Sequence, residues 1–157
     1  MSIKRMQAVA GVVFWTTVVT GVAIAAGTGG VTYEKDVKRI IAEQCLSCHG
    51  SDAPTMEAYK KDREGFKKAL KGPRMDTYAH LMVMVTGSDT GALMRRLDDG
   101  KATKDGKPGN MYLYLGKTAG EQGEKLKVIK EWIGGWTLKR KKDITEAELK
   151  AIKAPER

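Results

Sequence analysis

The stretch Cys45-Leu46-Ser47-Cys48-His49, followed by Gly50, decides how the rest of the chain is read. It holds both cysteines of the sequence and one of its two histidines. On a helix, residues three apart share a face, so Cys45 and Cys48 offer two thiols to one side and His49 follows at once. Two sulfurs that can add to the vinyl groups on one porphyrin edge, with an imidazole in reach of the iron, are what covalent haem attachment requires. Cys45 and Cys48 are therefore expected to become thioethers, and His49 the proximal iron ligand.

Other uses of the motif fit less well. A zinc site needs more Cys or His ligands, and only His80 remains. A thioredoxin-type pair opens a helix after a strand, whereas this motif closes a helix. Chance occurrence is the last rival, and the N-terminus argues against it. Lys4 and Arg5 precede an uncharged run from Met6 to Tyr33, the n-region and h-region of an export signal. Ala23-Ile24-Ala25 fits small-x-small cleavage, so residues 1–25 are expected to be a signal peptide and 26–31 a Gly/Thr-rich linker. The rival is a retained membrane anchor, since residues 8–26 are nearly long enough to span a bilayer. In both cases the positive end stays in the cytoplasm and the domain is exported, which predicts a periplasmic location.

The chain has 157 residues, of which 41% are apolar and 6% aromatic, a thin supply for one core. A buried haem ring would add apolar area that the side chains lack. Net charge is +9, and loss of Lys4 and Arg5 with a leader leaves +7. That balance should steer the domain towards partners with acidic surfaces. Nothing in the chain points to nucleic acid.

Helical patterning starts at Thr32, which can cap a helix with Glu34 and Asp36 in its first turn and Val37, Ile40 and Ile41 on one face. Residues 56–70 mix charges with Tyr59 and Phe66, a solvated helix or irregular excursion that Lys71-Gly72-Pro73 stops. Residues 75–85 and 90–97 read as buried helices, and 98–110, with its glycines, proline and lysines, as a surface loop. Residues 121–136 form the best amphipathic helix, with Leu126, Ile129, Trp132 and Ile133 on one face and Gly134-Gly135 as a C-cap. A basic run, Lys139 to Lys142, leads to a short helix whose capping box is Thr145 and Glu148. No strand signal stands out, so the expected class is all-α.

The order of these parts resembles the class I c-type cytochromes: a helix entering Cys-x-x-Cys-His-Gly, a later Met on a loop, and a C-terminal helix with Trp. Arg74-Met75-Asp76-Thr77-Tyr78, Ser88 to Leu97 and Leu126 to Trp136 are similar to three stretches of small bacterial monohaem domains in that class. The resemblance covers residues 32–136, leaving 137–157 as a basic extension with a short helix. It implies helices wrapped around one covalent haem, with the helix of Trp132 crossing the first helix near Val37, Ile40 and Ile41.

The resemblance also implies a distal ligand, for which eight methionines compete. Met111 follows Lys107-Pro108-Gly109-Asn110 and precedes the last long helix, where class I cytochromes carry theirs, and it is the expected ligand. Met75 and His80 are rivals. Met82, Met84 and Met94 sit in apolar helices where Met fills gaps, Met56 lies close behind the haem motif, and Met1 and Met6 belong to the leader. Arg74 is a candidate partner for a haem propionate. His/Met ligation fills the iron's coordination sphere and suits electron transfer rather than catalysis. The expected role is a one-electron carrier, with Lys104, Lys107 and Lys117 at a docking rim. A membrane-anchored haem subunit of a larger oxidoreductase and a haem peroxidase or gas sensor are the alternatives.

Overall fold

Thr32 caps the first helical turn. Its hydroxyl accepts from the Lys35 amide, and Asp36 returns a carboxylate to the Thr32 N–H at 2.9 Å. The computed structural model describes residues 30–157, so the expected leader, residues 1–25, lies outside the described residues. The first turn, Tyr33–Val37, is a π-turn rather than the expected α-turn, and α1 (Lys38–Gln44) continues it. Tyr33, Val37, Ile40 and Ile41 face inward. The backbone bends at Cys45 into α2 (Leu46–His49), which ends at Gly50.

Residues 56–68 form two short helices, α3 (Met56–Lys61) and α4 (Arg63–Lys68), capped by Thr55 and Asp62. Neither buries a residue, in keeping with a solvated excursion. The chain then returns across α2, with Gly72 N–H bonded to Cys48 O at 2.9 Å and Met75 N–H to His49 O at 2.8 Å. Because Thr77 takes the cap, α5 runs Tyr78–Val85 and leaves Met75 outside the helix expected to contain it. α6 (Ala92–Leu97) packs on α5, and together they bury Leu81, Met84, Val85, Leu93, Met94 and Leu97.

After the 98–110 loop, a 3-10 turn at Tyr112–Leu115 leads to α7 (Ala119–Ile133), capped by Thr118. α7 ends at Gly134, whose φ of 73° is one that glycine adopts readily and L side chains rarely do. Leu126, Ile129, Trp132 and Ile133 are buried, the last three completely. Each such side chain contributes about 1.5–3 kcal/mol by leaving water. α7 crosses the π-turn of the first helix, where the Trp132 and Tyr33 rings lie 6.2 Å apart. This is the expected helix pair, displaced one turn towards the N-terminus.

The final residues are part of that core. α8 (Glu146–Ala151) has both halves of the capping box, and Lys139, with Thr145, holds the Glu148 carboxyl down to about 2. Beyond it the tail inserts between the other helices. Lys153 and Ala154 N–H groups bond Ile133 O and Trp132 O, while Pro155 O accepts from both Tyr33 N–H and Trp132 Nε1, each at 2.9 Å. Tyr78 Oη donates to Ala154 O, also at 2.9 Å. A segment read as an appended extension thus closes the helix pair, with Ile152 and Ala154 buried. The reason lies in backbone hydrogen bonds, which carry no sequence pattern. Among the described residues there is no strand, and the one bridge joins Gly134 to Ile152.

Candidate haem site

Cys45 and Cys48 are free thiols on adjacent turns, both half-buried. Burial pushes the Cys45 thiol up to about 11, so an uncharged sulfur is the stable form there, as in a thioether. His49 Nδ1 lies 2.6 Å from Pro73 O. A carbonyl cannot donate, so Nδ1 carries the proton and Nε2 presents its lone pair. Burial holds the imidazole below its ordinary pKa, opposed by the Pro73 carbonyl, and keeps it in the neutral form a metal requires. Gly72 passes against the ring at Cε1, where an added Cβ would overlap the imidazole.

Met111 is half-buried at the edge of the core, its N–H bonded to Arg96 O at 2.9 Å. The turn it begins packs on both α1 and α7. The amide of Gln44, the residue before Cys45, lies 3.0 Å from Tyr114 O of this turn and 3.1 Å from Lys125 Nζ of α7, so its bonding is satisfied when the nitrogen is assigned to face Tyr114 O and the oxygen to face the lysine. The fold therefore brings the Met111 turn against the helix that enters the haem motif. Leu113 and Tyr114 project into solvent, while Tyr112 is half-buried.

The rival candidates lie elsewhere in the fold. Met75 is buried, and its N–H bonds the His49 carbonyl at 2.8 Å. Met94 is fully buried, and its sulfur accepts from Thr137 N–H at 3.3 Å. Met82 and Met84 lie within α5, and Met56 begins α3. His80 Nδ1 pairs with Asp76 at 2.7 Å. Arg74 Nε donates to Ala53 O at 2.9 Å and braces the turn after the motif. Sequence reasoning missed Gly72 and Pro73, reading Lys71-Gly72-Pro73 only as a helix stop. A Gly-Pro pair in a segment returning after the haem motif was the available signal.

Two thiols that can add across the vinyl groups of one ring edge, an imidazole with a free Nε2 and a thioether on a braced turn form a donor set that fits a c-type haem. Among the described residues no three His, Cys, Asp or Glu side chains converge as a metal-binding group, which leaves the zinc reading without support.

Fold and donor set together define a small c-type cytochrome. A family model described as PccH cytochrome c matches residues 32–155, and the chain belongs to that family. The solved structure of the monohaem cytochrome PccH from Geobacter sulfurreducens is 51% identical, with a TM-score of 0.76 over 81% of this chain and 99% of that one. A comparison with curated proteins finds no match. The family match includes the tail, in agreement with its place in the core. Membership makes the protein an electron carrier with a covalently bound c-type haem, and the two cysteines allow one such attachment.

Proposed function

We propose that the protein is a periplasmic one-electron carrier whose haem is attached through Cys45 and Cys48, with His49 as proximal and Met111 as distal ligand. The observation that carries this reading is the His49–Pro73 contact, which fixes the ring and its tautomer beside the two thiols. When bound, the haem supplies a single reversible electron-storage centre. The residues do the rest: His49 is oriented by Pro73 and flanked closely by Gly72, and Met111 comes from a turn secured to α1 and α7. Surface lysines including Lys104, Lys107 and Lys117 would guide acidic redox partners, with attraction that weakens as salt rises.

Replacing Met111 by Ala tests ligand and role together. The ferric protein should lose its sulfur-to-iron charge-transfer band and bind imidazole or cyanide readily, with the haem still covalently attached. An unchanged band would assign the distal position to another residue. The apolar run at residues 8–26 supports a second reading, an anchored haem subunit of a larger oxidoreductase. An intact N-terminus in the purified protein favours the subunit, and loss of residues 1–25 the free carrier.

A further inference from the structure

The 98–110 loop is organised around a buried carboxylate. Asp98 is completely buried, yet among the described residues its carboxylate forms no ion pair. One oxygen accepts from Trp136 Nε1 and the other from Gly100 N–H, both at 2.9 Å. The main-chain carbonyl of the same residue accepts from Gly109 N–H at 2.8 Å, so Asp98 joins the first and last parts of the loop. Thr103 Oγ1 reaches Gly100 O and Lys107 O and closes it from within. One step further, Met111 N–H is bonded to Arg96 O.

Gly109 lies so close to Arg95 O and Arg96 O that a side chain would collide with them, so the segment entering Met111 is pressed onto the end of α6. Lys130 of α7 reinforces the same point. Its ammonium lies 5.1 Å above the Trp136 ring and 3.4 Å from Asp99. The segment after α7 is thereby pinned to the stem of the loop that carries Met111.

We propose that Asp98 is a positioning residue for the distal ligand: its buried carboxylate, held by Trp136, clamps the 98–110 loop so that Met111 is delivered in one fixed place. A long loop pays an ordering cost each time its end is placed, and a clamp at the stem removes most of it in advance. Loosening the clamp should raise the fraction of molecules in which Met111 is away from the iron. This rests on Met111 being the ligand, and the test separates the two claims.

The measurement is imidazole affinity of the ferric holoprotein, alongside its charge-transfer band and thermal unfolding. Trp136→Phe removes the donor and strands one buried oxygen. Asp98→Asn places an amide donor against an N–H. Each should tighten imidazole binding about tenfold or more, the scale of one lost buried hydrogen bond, and weaken the band. Ile152→Ala loosens the tail without touching the loop and should lower the unfolding temperature while leaving imidazole affinity as in the parent. If Asp98→Asn does not fold, Trp136→Phe carries the test.

The proposal is overturned if both loop variants bind imidazole like the parent, or if Ile152→Ala shifts the affinity as much as they do. Met111→Ala distinguishes the underlying claim. Loss of its band with unaffected loop variants rejects the clamp alone, whereas retention of its band rejects the ligand assignment and the clamp's target with it.

Discussion

Trp132→Ala is expected to cost about 3–5 kcal/mol of stability, the range for large-to-small changes in a closed core, and to leave the haem attached. The indole is fully buried on α7, tilted against Tyr33, and its Nε1 donates to Pro155 O at 2.9 Å. Truncation removes the packing between the first helix and α7 and takes one donor from a tail carbonyl. Such a loss is a large share of the roughly 5–15 kcal/mol that holds a domain together. Thioethers survive unfolding, so the variant should be coloured but melt far below the parent. Unchanged thermal stability would reject the pairing of α7 with the first helix.

Gly72→Ala should strike the iron site with comparable force. A methyl group at this position occupies the space of the His49 imidazole. The ring cannot retreat without losing Pro73 O, and the backbone cannot without losing the Gly72 N–H bond to Cys48 O at 2.9 Å. Overpacking of this kind costs about 1–3 kcal/mol where neighbours can shift, and here both are tethered. The haem should stay bound through Cys45 and Cys48 while the visible spectrum shows a weakened or lost imidazole bond. A spectrum identical to the parent's would mean that the ring has room the structure does not show.

What the sequence made legible was local. Cys45, Cys48 and His49 lie within one short segment, so their chemistry follows from spacing alone. α7 was readable from Leu126, Ile129, Trp132 and Ile133 because a 3.6-residue period survives in any helix with one buried face. The Thr145 and Glu148 box is likewise a three-residue pattern. The boundaries moved where a Thr took a cap: Thr77 shortens α5, and Thr118 starts α7 two residues before the expected Glu121. Threonine is common enough that its hydroxyl is recognised as a cap only once the backbone is seen.

Longer-range features left no such trace. The π-turn at Tyr33–Val37 keeps the apolar residues of an α-helix and differs only in which carbonyl each amide finds. Pro73 is 24 residues from His49, and Asp98 is 38 from Trp136. Within a loop rich in Gly and Lys, an aspartate reads as solvated, and only tertiary packing reveals that it is buried. The tail is the largest instance. Its Ala154 and Pro155 contribute carbonyls and amides rather than side-chain character, so a segment that reads as a basic appendage locks Tyr33, Tyr78 and Trp132 together.

The most direct test is the intact mass of protein matured in a host that assembles c-type cytochromes, measured after denaturation and acid extraction of loose haem. One porphyrin per chain should remain, carried on the peptide containing Cys45 and Cys48, with a low-spin absorption spectrum before denaturation. A colourless chain of unmodified mass, or a haem that washes away on denaturation, would contradict the attachment on which every other statement about the site depends.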